Sequence, residues 1–236
     1  MSRIESMLMV ASEAREFRGI LRNCSHTIHL DWPVDFAWSA EFQGRRVVCV
    51  ANGPGFRLAA KAVEIAGAKG QYGTVVSTGF CGGLDPTLQV GDVVEADGVL
   101  DVASGDRYPC QGLSAARHHL VASVDRVAET ASEKSQLREV TGAGAVEMES
   151  AVVARFAASI AAVFYCVRVV SDTAGHSFPF SLNKLRNSDG RFNRNKIIRE
   201  ALRRPFSRIP GLLQLDRNCA LAENRLGEFF ANCNLA

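Results

Sequence analysis

The 236-residue sequence has no excess of charge of either sign: 27 Lys and Arg stand against 25 Asp and Glu, a formal net charge of +2. That balance excludes a dedicated polycation of the kind that coats nucleic acid. With 47% hydrophobic residues, it also leaves no case for a disordered chain. No apolar run is long enough to span a bilayer, since the longest, Phe156–Val167, is twelve residues and ends at Arg168. The N-terminus carries Arg3 and Glu5 but no apolar stretch with a cleavage site, so the expected location is cytoplasmic. No CxxC pair occurs among the seven cysteines, and their odd number argues against both a disulfide framework and a zinc site. Cys49 and Cys166 sit inside apolar runs, where cysteine behaves as a small hydrophobe. Neither internal repeat, low-complexity segment nor long linker interrupts the chain, so a single domain over residues 1–236 is expected.

What is present is an alternation of short Val-rich runs and helical stretches. Strands are expected at Met7–Ala11, Arg46–Ala51, Thr74–Thr78, within Asp92–Val102 as two pieces, at Leu120–Arg126 and at Val163–Val170. Helices are expected at Ala14–Leu21, from about Phe56 to Ala68, at Glu129–Glu139 and Glu149–Ile160, then over Arg194–Arg204 and Pro210–Asn232. Strands followed by glycine turns and helices predict an α/β fold, a central mixed, largely parallel twisted sheet flanked by helices.

Ligands of open α/β sheets bind at the carboxyl ends of the strands. Five segments fall there: Glu13, the turn Asn52-Gly53-Pro54-Gly55, the turn Gly79-Phe80-Cys81-Gly82-Gly83, Glu147-Met148-Glu149, and Ser171-Asp172. Any one carboxylate at a helix start is accounted for by capping or the helix dipole. Three on one rim are harder to dismiss. A dinucleotide site is rejected, because Gly53-Pro54-Gly55 is followed by Leu58 where GxGxxG needs its third glycine. GxxxxGK[ST] is absent. No cofactor and no metal are expected. The glycines, Gly53, Gly79 and Gly82 among them, instead let backbone amides approach a ligand.

Thr78-Gly79-Phe80-Cys81-Gly82-Gly83-Leu84-Asp85-Pro86-Thr87-Leu88-Gln89-Val90-Gly91-Asp92-Val93-Val94 resembles the TG-x-AGGL-x-P-x-L-x-VGD-x-V signature of the nucleoside phosphorylase and methylthioadenosine/S-adenosylhomocysteine nucleosidase superfamily. Val146-Glu147-Met148-Glu149-Ser150-Ala151 resembles its VEMES/A segment, and Val167-Arg168-Val169-Val170-Ser171-Asp172-Thr173-Ala174 its VR-x-(I/V)SD-x-A segment. Order and spacing agree over roughly Met7 to Ala174. Ala11-Ser12-Glu13-Ala14-Arg15, the NGPG turn, the short Tyr108–Ala145 stretch, Asp189-Gly190-Arg191 and Arg204-Pro205 further resemble the hopanoid-biosynthesis nucleosidases, which release adenine from adenosylhopane.

The resemblance implies a nucleoside phosphorylase-like fold and cleavage of a purine N-glycosidic bond. It implies Asp172 as general acid toward N7 of the base, oriented by Ser171, with Glu13 acting on the attacking water. It implies Glu149 as acceptor of the ribose hydroxyls, Met148 under the sugar, and Glu147, Phe80 and the glycines near substrate. Phosphorylases of this superfamily carry an Arg before the glycine turn and a Ser within it, where this chain has Ser77 and Phe80. Loss of both donors favours hydrolysis over phosphorolysis, although Arg15 or Arg57 offers a cation. Phe178 and Phe180 are candidates to stack on the base, and His26, His29, His118, His119 and His176 lack metal spacing.

The expected partner is a small purine nucleoside, in the hopanoid case a lipid-linked one. Relatives imply a homodimer or higher homo-oligomer. Residues 184–217 hold ten Lys and Arg against three acids, which leaves a charge of −5 on the rest of the chain, so a basic helical region over about 184–236 is expected. Such a region suits an anionic membrane surface, with solvated helix faces as the plain alternative. Binding of nucleic acid, and a non-enzymatic nucleoside-binding role, are the less favoured readings.

Overall fold

A computed structural model of the chain describes residues 6–113 and 118–233. Residues 1–5, 234–236, and 114–117 within the Tyr108–Ala145 stretch lie outside the described residues.

The strands are β1 (Met7–Ala11), β2 (Ser25–His29), β3 (Phe36–Phe42), β4 (Arg45–Ala51), β5 (Thr74–Gly83), β6 (Val93–Asp101), β7 (Arg107–Pro109), β8 (His118–Ser123), β9 (Ala145–Glu147) and β10 (Val163–Asp172). A 3-10 turn at Ala14–Phe17 leads into α1 (Arg18–Leu21). The other helices are α2 (Phe56–Lys69), α3 (Ala131–Thr141), α4 (Ser150–Ser159), α5 (Arg194–Leu202) and α6 (Pro205–Asn232).

All ten strands join one mixed sheet in the order β10-β6-β8-β9-β5-β1-β4-β3-β2, with β7 on β6. Its centre is parallel: β1 pairs β4 and β5, and β5 pairs β10. Because β10 pairs both β5 and β6, the strands β5, β10, β6, β8 and β9 close into a ring. The fold is therefore the expected α/β sheet flanked by helices. In β1 the period of two is explicit. Leu8 and Val10 face the core under α2 and α4, whereas Met7, Met9 and Ala11 face the core under α1 and α6.

Helix α6 is brought onto that second face by a glycine pair. A Cβ on Gly19 of α1 would lie 2.1 Å from the Glu223 carbonyl oxygen, and one on Gly227 of α6 would lie 2.5 Å from the Gly19 carbonyl oxygen. The two backbones thus cross in direct contact, which only glycine permits.

Two expected boundaries change. The glycine-rich segment after Thr78 is not a turn but the second half of β5, paired with β10 as far as Gly82–Asp172 and with β9 at Gly82–Val146 and Gly83–Ala145. Small residues are needed there because strands approach from both sides. The expected break before Pro210 is absent: α6 starts at Pro205 and runs through Pro210, whose missing N–H removes one ladder bond near the helix start. Strands β2 and β3 lay outside the sequence expectation, and β2 is exposed at all five residues, so it carries no apolar alternation. Among the described residues no helix is long and apolar enough to cross a membrane.

Candidate active site

A cavity of about 520 Å³ opens at the carboxyl ends of β1, β5, β9 and β10 and is walled on its far side by residues of α5, α6 and the segment between β10 and α5. Glu13, Phe80, Gly82, Glu147, Met148, Glu149, Ser171 and Asp172 all line it, so motifs separated by up to 159 positions meet. Gly53 and Gly79 sit behind this wall, and the backbone groups nearest the carboxylates belong to Gly55 and Phe80 instead.

Under the floor lies Arg168, the largest fully buried side chain among the described residues. It donates from Nη1 to the Thr78 carbonyl (2.9 Å) and from Nη2 to Ser77 Oγ (2.7 Å), Ser150 Oγ (2.8 Å) and Glu147 Oε2 (2.6 Å). Its Nη1 is also 3.9 Å from Glu149 Oε2. Glu147, expected beside substrate, has Oε2 committed to this guanidinium and to the N–H groups of Glu149 and Ser150, both at 2.8 Å. It caps α4, which leaves the Glu149 carboxylate without a capping role. Ser77, at the position where phosphorylases carry an arginine, is turned inward to Arg168.

Glu149 reaches across the cavity to accept the Gly55 N–H at 2.8 Å. Burial, and then repulsion from Glu147, push its carboxyl up to about 8, against the pull of Arg168. Met148 is buried beside it.

Sequence reasoning missed Glu16. Glu13 is an exposed residue at the start of the 3-10 turn, whereas Glu16 is buried at 3% exposure. Glu16 Oε2 accepts from the Ser12 N–H (2.8 Å), Ser12 Oγ (2.9 Å) and the Glu13 N–H (2.8 Å), and Oε1 accepts from the Phe80 N–H (2.7 Å). Gly79 makes this possible. Its φ is +132°, and a Cβ there would stand 2.3 Å from Glu16 Oε1 and 2.9 Å from Arg168 Nη1. The signal in the sequence was the next glutamate one helical turn along.

Asp172 ends β10 at a register shift between Val170 and Asp172, an irregularity that re-aims the last side chain of a strand. Ser171 Oγ lies 2.8 Å from Asp172 Oδ1 and 3.2 Å from the Cys81 carbonyl. Asp172 Oδ2 is bonded to Nζ of Lys134, a second residue the sequence did not single out. Lys134 Nζ also donates to the Thr173 carbonyl at 2.8 Å and lies 5.9 Å from the Phe178 ring centre. Of the two candidate stacking residues, Phe178 lines the cavity, whereas Phe180 packs on Arg208 with 5.7 Å to the ring centre. The far wall, from α5, α6 and the segment before α5, is apolar, with Leu182, Phe192, Ile197, Leu212 and Leu215, while Arg15 and Arg126 also line the cavity. Among the described residues no group of three or more His, Cys, Asp or Glu side chains is arranged to hold a metal ion.

The family model described as the phosphorylase superfamily matches residues 8–120 and 110–203. A 5'-methylthioadenosine/S-adenosylhomocysteine nucleosidase of Marinomonas sp. (strain MWYL1) is 29% identical over 173 residues, which is 61% of this chain and 75% of that protein. Among solved structures, the 5'-methylthioadenosine/S-adenosylhomocysteine nucleosidase of Neisseria meningitidis in complex with methylthio-immucillin-A superposes with a TM-score of 0.73 at 20% identity, covering 96% of this chain and 97% of that one. A futalosine hydrolase mutant of Helicobacter pylori superposes with a TM-score of 0.70 at 14% identity, covering 95% and 96% of the two chains. At such identities the likeness is one of fold.

Proposed function

The chain belongs to the phosphorylase superfamily, and from that premise we propose that it cleaves the N-glycosidic bond of a purine nucleoside, adenine being the base, with water as acceptor. One observation carries the reading. Three carboxylates from three separate strand ends, Glu16, Glu149 and Asp172, converge on a single cavity while each is at most 6% exposed. Buried carboxylates cost free energy that folding alone does not recover, so their convergence calls for chemistry.

Breaking the bond builds positive charge on the ribose and negative charge on the departing base. Asp172, held by Ser171, delivers a proton to N7. Glu149 accepts the ribose hydroxyls over Met148, and a carboxylate is the stronger acceptor for two such donors. Glu16 orients the attacking water and takes its proton; Glu13, at the exposed rim, lies farther from that water-excluded floor.

Hydrolysis is favoured because the cations around the cavity are already engaged. Arg15 pairs with Asp216 (3.0 Å), Arg126 with Glu133 (2.9 Å), and Arg168 with Glu147 (2.6 Å). Arg57 bonds the Ser188 carbonyl at 3.1 Å. Adenine release from adenosine, methylthioadenosine, S-adenosylhomocysteine and a lipid-linked adenosine is therefore expected to be equal with and without phosphate. Strict phosphate dependence with formation of ribose 1-phosphate would sink the hydrolytic reading.

The apolar wall favours a nucleoside with a large apolar 5′ substituent, as in adenosylhopane. Ile197 on that wall is followed by exposed Ile198, Leu202 and Phe206, interleaved with exposed Arg199, Arg203 and Arg204. That mixture suits a lipid-linked substrate met at an anionic membrane surface. In the panel above, the lipid-linked adenosine is then the fastest substrate.

Glu149 adds a pH signature. Its carboxyl is held up at about 8, and a ribose diol binds the ionised form best. Nucleoside affinity is expected to rise as pH approaches 8 from below, by up to about tenfold per pH unit, and then to level off. Binding at pH 7 releases a proton. Calorimetry in buffers of different ionisation enthalpy reads both effects; an affinity constant from pH 5 to 9 removes Glu149 from the sugar.

A further inference from the structure

We infer that Lys134 supplies the proton that Asp172 hands to the leaving base, so that the acid of this site is a lysine–aspartate pair sharing one proton. The inference rests on the nucleosidase reading above. Lysines are almost never fully buried unless paired, and Lys134 is 0% exposed. It is the only fully buried residue of α3. It sits in the fourth position of that helix, near the positive end of the helix dipole, where a cation is disfavoured. A buried ion pair is at best neutral for stability against apolar residues of the same size. Stability therefore does not explain why a lysine occupies this position.

Geometry does. Both Asp172 oxygens already accept hydrogen bonds, Oδ1 from Ser171 and Oδ2 from Lys134, so the carboxyl is arranged as an acceptor. A purine N7 reaching Asp172 needs a donor, and the nearest proton is on Lys134 Nζ. The loop before α3 is built to keep it there. Glu129 accepts the Asn183 N–H on Oε1 (2.6 Å) and the Phe178 N–H on its carbonyl (2.9 Å), which fixes Phe178 against the ammonium.

In the reaction Nζ–H passes its proton to the Asp172 carboxylate, and the carboxyl so formed passes that proton on to N7, leaving Lys134 as the neutral amine. The C1′–N9 bond breaks with its electron pair leaving on the base, water adds to C1′, and the water's proton goes to Glu16. Solvent then returns that proton to Lys134, so the enzyme ends as it began. The titratable groups facing the pair are Cys81 on β5, Cys219 on α6, Glu133 beside Lys134, Glu129 on the approach loop and His176 against Phe178. Burial holds both thiols up, Cys219 to about 12, so they stay neutral across the working range.

Lys134→Met and Lys134→Arg test this. Arginine keeps the charge but does not release its proton. Both variants are expected to lose about 100-fold in kcat for adenosine cleavage at pH 8. Lys134→Met recovers as pH falls and its own carboxyl protonates, whereas Lys134→Arg does not. Against p-nitrophenyl riboside, whose leaving group needs no proton, both are expected to stay within about threefold of the parent. Parent-like kcat in Lys134→Arg, a Lys134→Met pH profile superposing on the parent's, or equal losses on both substrates each overturn the inference. If neither variant folds, the parent decides: the alkaline limb of its kcat profile must shift with temperature as an ammonium does, and a temperature-invariant limb overturns the proposal. A parent that releases base from no nucleoside overturns the nucleosidase reading instead.

Discussion

Asp172→Asn is expected, on the proposed function, to lower kcat for release of the purine base by about 10²- to 10⁴-fold, the range a positioned general acid contributes. The asparagine keeps the shape of the side chain and still offers an oxygen to Ser171, 2.8 Å away in the parent. What it removes is the ability to carry a proton from Lys134 to N7. KM is expected to change little, because the ribose contacts proposed for Glu149 and Met148 are untouched, so the loss falls on kcat. Release of p-nitrophenol from its riboside is spared, as in the Lys134 variants. Full activity in Asp172→Asn removes the acid assignment altogether.

The same substitution has a cost in stability that the sequence alone conceals. Lys134 is fully buried and its ammonium is bonded to Asp172. A buried cation deprived of its partner is expensive, and it responds by giving up its proton. Asp172→Asn is therefore expected to melt below the parent. A double variant, Asp172→Asn with Lys134→Met, recovers stability without recovering activity. That combination separates the structural consequence of the ion pair from its chemistry.

The difference between Asp172 and Lys134 marks how far the sequence could be read. Asp172 follows a Val-rich strand within a family segment, so its place at the end of β10 was visible, and the family resemblance supplied the chemistry proposed for it. Lys134 stands in Ala131–Thr141, a charged stretch with no apolar stripe, and nothing local separates it from its half-buried neighbours Glu133 and Arg138. Its role appears only when β10 and α3 meet, 38 positions apart. Glu16 illustrates a narrower failure. The motif placed a glutamate after β1, but the choice between Glu13 and Glu16 depends on the pitch of a 3-10 turn and on the clearance at Gly79, 63 positions away. The strands themselves were legible where Val-rich runs are buried on both faces, as in β1, β4, β5 and β10, but not their order in the sheet. Edge strand β2, exposed throughout, has no pattern to read.

Arg168→Met is expected to be among the most destabilising substitutions in this protein, by about 3–5 kcal/mol, because it leaves buried carboxylates without their cation. Methionine fills much of the volume, so the cost is electrostatic rather than a cavity. Three acids face the guanidinium: Glu147 at 2.6 Å, Glu149 at 3.9 Å, and Glu16 across the Gly79 backbone. Ser77 and Ser150 lose a shared donor as well. The effect must depend on pH, with a definite sign. In the parent the Glu149 carboxyl is already raised from 4.5 to about 8 in the folded protein, and Arg168, ahead of the Gly55 N–H, pulls it down. A carboxyl raised on folding takes up a proton between those two values, so the folded state is favoured at the acid end and loses that advantage as pH rises. Without Arg168 the carboxyl rises further and the window extends to higher pH. Arg168→Met is therefore expected to lie nearest the parent at pH 5 and to fall well below it at pH 9, by urea unfolding at each pH. An equal loss at every pH means that the guanidinium contributes shape and hydrogen bonds but not charge. A variant as stable as the parent at pH 9 means that Glu149 is neutral there, which also removes the charged acceptor proposed for the sugar.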